Sequence, residues 1–182
     1  MKNSENIVTR KFTTVDLVII ALLAALGIAV KPFVQPLIKL ITATLKVPSG
    51  TIGGFIYMFW PVVAVAMTRK YGAATLLSFV QALVAYIIGF GSHGIANFPA
   101  YLLPGIVIDL TFLIFRDRGT NYLVGGIAGA LGNAAGVAFI NLVLFRMPPI
   151  ALLFTVIVGM ISGAVGGVAA IFVGRETRRY DL

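Results

Sequence analysis

Long apolar runs alternate with short polar and mostly basic interruptions along this chain. A helix crosses the hydrocarbon core of a bilayer with roughly 20 residues, range about 17 to 25. Six runs approach or meet that length: Thr13 to Val30, Thr51 to Thr68, Ala73 to Phe90, Phe98 to Phe115, Tyr122 to Phe145 and Ile150 to Val173. The pattern predicts an all-α membrane protein, a bundle of six transmembrane helices forming one integral membrane domain over residues 1–182. A seventh run, Phe33 to Leu45, is shorter and contains Pro36 and Lys39. Residues 31–50 are therefore expected to form a re-entrant or interfacial segment within a long first extracellular loop.

The basic residues test that choice, because cytoplasmic loops are enriched in Lys and Arg. With six spans and the N-terminus inside, Lys2, Arg10, Lys11, Arg69, Lys70, Arg116, Arg118, Arg175, Arg178 and Arg179 are cytoplasmic, ten in all. Lys31, Lys39, Lys46 and Arg146 are outside, which is four. A crossing by Phe33 to Leu45 would reverse every later loop, reduce the inside count to five and strand Lys39 in the membrane. Six spans with both termini in the cytoplasm fit better.

Composition agrees with this reading. Hydrophobic residues make up 59% of the chain and charged ones 11%, whereas soluble domains carry about a quarter charged residues. The net charge of +8 lies between apolar runs rather than along one face, so it reads as topology and not as a nucleic-acid surface. With no cysteine, disulfides, thiolate metal sites and cysteine nucleophiles are excluded. The N-terminal stretch lacks the form of a cleavable signal. The expected location is the cell membrane, as a multi-pass protein of a prokaryotic plasma membrane surrounded by lipid.

Enzyme signatures are missing: no paired acids in one helix, no HExxH, no GxSxG and no Walker loop. His93 is the sole histidine, which leaves no material for a catalytic triad or a histidine-rich metal site. The expectation is no enzyme, no cofactor and no metal site. At the start of the first span, Thr13 and Asp16 have the spacing of a helix cap. Gly125, Gly129, Gly132 and Gly136 in the fifth span, and Gly159, Gly163 and Gly167 in the sixth, form small-residue faces suited to close helix packing. Asp109 is the one ionisable residue deep within a span. It is either a coupling carboxylate or an acid satisfied by Gln81, a hydroxyl or backbone donors.

Polar and aromatic groups concentrate toward the outer half: Gln81, Tyr86, His93, Asn97, Tyr101, Asn133 and Asn141, with Tyr57 and Trp60 on the second span. Apolar walls with a few placed hydrogen-bonding groups make a small-molecule site, and these residues are the candidate substrate-binding set. Each has a plainer role available: an aromatic belt for the tyrosines, a solvated loop for His93, an interhelical hydrogen bond for Asn133.

The first span carries Ala21, Ala25 and Ala29 at four-residue spacing, a shallow stripe suited to close helix contact. With six spans, a long first outer loop and this length, the chain resembles the substrate-binding S components of energy-coupling factor (ECF) vitamin transporters. Arg69-Lys-Tyr-Gly-Ala-Ala74 and Pro104-Gly-Ile-Val-Ile-Asp109 look similar to S components of the thiamine and hydroxymethylpyrimidine type. The resemblance implies capture of a water-soluble vitamin or precursor, and docking through Ala21, Ala25 and Ala29 on a transmembrane coupling subunit that works with two ATPase subunits. It sets aside a cobalt or nickel subtype, whose metal-binding histidine near the N-terminus has no counterpart here. Three other classes compete: an ion-coupled secondary transporter or channel using Asp109, a small enzyme acting on lipid, and a purely structural bundle.

Overall fold

A computed structural model of the chain describes residues 11–45, 49–89 and 97–179. Six helices follow one another: α1 (Thr14–Leu45), α2 (Ser49–Thr68), α3 (Ala73–Ile88), α4 (Asn97–Ile114), α5 (Tyr122–Val143) and α6 (Pro149–Arg179). The protein is an all-α bundle. By length and apolar character α1, α2, α5 and α6 can each cross a membrane, and α3 and α4 contribute shorter apolar stretches, Ala73–Ile88 and Phe98–Ile114.

The first helix differs most from the sequence reading. The first span was expected to stop at Val30, with residues 31–50 forming a re-entrant or interfacial segment; instead α1 continues as one helix of 32 residues to Leu45. At 1.5 Å per residue it is about 48 Å long, well beyond a hydrocarbon core of about 30 Å. Pro32 and Pro36 lie inside it, and each removes an amide donor and leaves the carbonyl four residues earlier without its helical partner. Further along, the Thr42 hydroxyl donates to the carbonyl of Ile38 at 2.9 Å. One consequence is that Lys31, a loop charge by the sequence reading, becomes a helix residue.

One end of the bundle gathers the start of α1, the end of α6 and the α2–α3 and α4–α5 connections. Lys70 pairs there with Asp16 and donates to the carbonyl of Lys11 at 2.6 Å. The guanidinium of Arg118 lies over the ring of Tyr71, and that of Arg175 over Tyr122. Thr13 and Asp16 cap α1 reciprocally: the Thr13 amide donates to the Asp16 carboxylate at 2.7 Å, and the Asp16 amide donates to the Thr13 hydroxyl at 3.3 Å. Asp117 receives the amides of Gly119 (3.1 Å), Thr120 (3.0 Å) and Asn121 (3.2 Å) and so shapes the turn before α5. Gly119 sits at φ 76° against the backbone of Ala66, a place where a side chain would meet both a strained conformation and a clash.

The core runs along α2. Val62, Val63, Ala64 and Val65 are buried with Ala73 and Leu77 of α3, Ile108 and Phe112 of α4, and Ala128 and Ile171 of α5 and α6. Lipid supplies little hydrophobic drive between helices, so close backbone approach and buried hydrogen bonds carry much of the association. At the α5–α6 seam, a Cβ on Gly129 would collide with the carbonyl of Gly163, and one on Gly167 with the carbonyl of Gly125. The small-residue faces expected from the sequence therefore meet each other.

In contrast α1 packs along one side, mainly on α2 and α3. Its inward face presents Ile20, Ala24, Ile28 and Lys31, all buried. Its outward face presents Ala21, Ala25 and Ala29, all exposed, beside Leu22 and Leu26.

Candidate functional site

Away from the termini, α1, α2 and α4 bring three side chains together. Lys31 is 9% exposed; its ammonium lies 3.8 Å from the ring centroid of Tyr101 and 5.2 Å from that of Tyr57. Helical register explains the meeting. Lys31 follows Ala24 and Gly27 by seven and four positions on the inward face of α1, while Tyr57 and Trp60 share one face of α2 at a spacing of three. One turn deeper, the side chains of Trp60 and Gln81 both press on Gly27, whose missing Cβ leaves room for them. Gln81 donates to the carbonyl of Ala24 at 3.4 Å. The Trp60 indole N–H is buried and has no hydrogen-bond partner among the described residues. A T-shaped contact with Phe59, centroids 5.2 Å apart, holds the Trp60 ring.

Magnitudes set this cluster apart. Burying a charged ammonium costs several kcal/mol after relaxation, and each ring face returns about 0.5 to 2 kcal/mol. Two rings do not cover the cost. Among the described residues Lys31 has no carboxylate partner, since the only ion pairs are Lys70–Asp16 and Arg179–Glu176. A buried lysine with no acidic partner among the described residues, two tyrosine rings and an indole donor have the composition of a small-molecule site: aromatic walls with a few directed polar groups.

The other sequence candidates have different surroundings. Asn133 is buried and donates to the carbonyls of Gly159 at 2.7 Å and Thr51 at 3.4 Å, so it ties α5 to α6 and α2. Asn141 donates to the Thr155 hydroxyl at 3.2 Å across the same seam, leaving its own carbonyl oxygen without a partner. Tyr86 is 59% exposed on the outside of α3. His93 and the side chain of Asn97 lie outside the described residues. Of the sequence candidates, Gln81, Trp60 and Tyr101 are those that the fold places at or beside the cluster.

Asp109 has a structural position. Its carboxylate accepts the Thr75 amide at 2.7 Å, the Thr75 hydroxyl at 2.6 Å and the Ala74 amide at 3.4 Å. These are unpaired donors of the first turn of α3, where a negative charge complements the helix dipole. A hydroxyl and backbone amides satisfy it, while Gln81 bonds elsewhere.

Sequence reasoning offered the segment from Lys31 to Gly50 as a loop that could cover the pocket, but did not single out Lys31 as a binding residue, because a span ending at Val30 left it in that loop. The signal was available. Continuing the helix by a single residue places Lys31 on the buried stripe of Ile20, Ala24 and Gly27.

This is a helical membrane protein with a polar and aromatic cluster built between three of its helices. Residues 15–135 match the family described as ABC-type cobalt transport system, permease component, and the chain belongs to that family. The fold is that of a crystal structure of an S-component of an ECF transporter, with a TM-score of 0.80 and 21% identity over 94% of this chain and 88% of the other. No curated protein matches the chain. The family corrects the expected subtype: the match is to the cobalt-type family, not to the thiamine and hydroxymethylpyrimidine type. An absent N-terminal histidine did not exclude that family, because the match begins at residue 15 and runs through the helices.

Proposed function

We propose that this chain is the substrate-capture subunit of an ECF-type transporter, crossing the membrane six times with both termini in the cytoplasm. It binds a small water-soluble organic molecule at the end opposite the termini, between Lys31, Tyr57 and Tyr101, with Trp60 and Gln81 beneath. A transmembrane coupling subunit and two ATPase subunits supply the energy, and Ala21, Ala25 and Ala29 form the docking stripe for the coupling subunit. The observation that carries this reading is the buried, unpaired Lys31 between two aromatic faces at the end away from the basic loops.

The family description names cobalt, but the donor chemistry supports an organic cargo. Among the described residues no three His, Cys, Asp or Glu side chains are grouped to hold a metal ion. An ammonium at the centre of the site also repels a divalent cation. Ion coupling through Asp109 has little support, because that carboxylate already closes the first turn of α3.

The test is native mass spectrometry of the purified chain for a co-purified small molecule, followed by reconstitution with and without the partner subunits. Ligand bound by the chain alone, with uptake only in the presence of ATP and partners, is the expected result. Gradient-driven flux by the chain alone would sink the proposal, as would accumulation of Co2+ by the assembled complex.

A further inference from the structure

The four acidic residues described in the structure all have local roles or lie on helix surfaces away from Lys31. Asp16 pairs with Lys70, Asp109 closes the start of α3, Asp117 shapes the turn before α5 and Glu176 lies beside Arg179. In sequence, Glu5 precedes α1 and Asp181 follows α6. The connections at the opposite end, residues 46–48, 89–96 and 144–148, contain no Asp or Glu. Lys39 and Arg146 are exposed near that end, and Lys46 stands in the α1–α2 connection. Among the described residues there is no carboxylate there for Lys31 to pair with, and the charges at that end are of one sign.

We propose that Lys31 anchors a carboxylate or phosphate group of the captured molecule, with the Tyr57 and Tyr101 rings flanking its organic body and the Trp60 indole N–H as a second donor. This rests on the capture reading above and assigns its substrate class. An incoming anion meets a cation already stripped of water and held between rigid rings, so the attraction acts at low dielectric and the site is prepared before binding. Exposed basic residues at the same end steer the anion inward, an effect that weakens with salt. A neutral molecule of the same shape would leave the buried ammonium unpaired and bind poorly.

The experiment uses the full chain in a neutral detergent at constant ionic strength, with benzoate, benzamide and inorganic phosphate as probes and thermal melting as the readout. Benzoate and phosphate should raise the melting temperature, and benzamide should not. Lys31→Gln should weaken the apparent affinity for benzoate about thirtyfold or more, Lys31→Arg should retain much of it, and Arg179→Gln, exposed at the opposite end, should change it little. Lys31→Gln removes an unpaired buried charge, so its unliganded form is expected to melt no lower than the parent protein. Equal protection of Lys31→Gln and the parent overturns the proposal, as does equal protection by benzamide, or no protection by either anion.

A lipid phosphate could offer the same chemistry, so the melts are repeated in nanodiscs of phosphatidylcholine with and without phosphatidylglycerol. Unchanged benzoate affinity places the anion site with the substrate, and Lys31-dependent displacement of benzoate by phosphatidylglycerol assigns it to lipid. A co-purified ligand that is neutral or cationic overturns the anion assignment and leaves substrate capture standing. Absence of any ligand, together with absence of uptake in the assembled complex, removes both.

Discussion

The two ends of this bundle treat charge in opposite ways. At the end bearing the termini, Asp16, Asp109 and Asp117 each accept several hydrogen bonds, and Lys70 is shared between a carboxylate and a carbonyl. Those groups fix helix starts and turns. At the other end Lys31 is as buried as any of them, yet it faces two rings and no acid among the described residues. Stability explains the first arrangement. It does not explain the second, which costs free energy in the absence of a bound group and so points to binding.

Removing charge should therefore have opposite effects at the two ends. The largest expected change is at Asp109. Replacing it with Ala strips the first turn of α3 of its acceptor and leaves buried donors unsatisfied, at about 1 to 3 kcal/mol. Thermal melting of Asp109→Ala in detergent should fall by roughly 3 to 10 °C for a chain of this size. If ion-driven flux were lost while the melt stayed unchanged, Asp109 would be a coupling group and not a cap.

Asp16→Ala comes next. It removes the reciprocal cap of α1 and the partner of Lys70, for about 1 to 2 kcal/mol together, and a melt should show a smaller loss than Asp109→Ala. A smaller effect again, and of opposite sign, is expected for Lys31→Met. Replacing an unpaired buried charge by an apolar side chain of similar length is neutral to stabilising, so the unliganded variant should melt at or up to a few degrees above the parent. A marked loss of stability in Lys31→Met would show that Lys31 is held by partners at home in the fold, and the contrast between the ends would disappear.

The smallest effect is a pH dependence at Asp117. Partial burial works against its carboxylate, but the Thr120 hydroxyl and the backbone amides outweigh that and hold its pKa below the ordinary carboxylate value. A lowered folded pKa means that its contribution is full above the unfolded value and is lost as pH falls through the lowered folded one. The melting temperature of the parent should therefore fall more than that of Asp117→Asn between pH 5 and pH 3, a window estimated as roughly one unit either side of the ordinary carboxylate pKa.

Much of the fold could be read from the sequence, because apolar run length dictates a helical bundle and glycine spacing dictates which faces can touch. Glycine spacing marked the close-packing faces of α5 and α6, and the structure shows that these two faces meet each other. The extent of α1 did not, since Pro32, Pro36 and Lys39 are normally helix-ending or loop-forming signals, and only the fold overrides them. The site was half legible for the same reason. Trp60, Gln81 and Tyr101 were chosen as polar or aromatic residues in apolar runs, whereas Lys31 was hidden by the misplaced helix end. Asn133 is the converse case: a mid-span amide was open to ligand binding or to an interhelical hydrogen bond, and across the close α5–α6 approach it donates to the carbonyls of Gly159 and Thr51.

Capture at one place and delivery at another is the central claim, and the outward face of α1 tests it. Ala21, Ala25 and Ala29 recur every four residues, drifting about 40° per step on a helix of 3.6 residues per turn, and all three are exposed. Internal packing does not use the stripe, and the cluster around Lys31 lies on the opposite side of the helix. The decisive measurement on Ala25→Trp is co-purification with the coupling subunit, read beside retention of the co-purified small molecule by native mass spectrometry. Retained ligand with lost co-purification and lost ATP-driven uptake is the predicted result; normal assembly and uptake in Ala25→Trp would contradict the account.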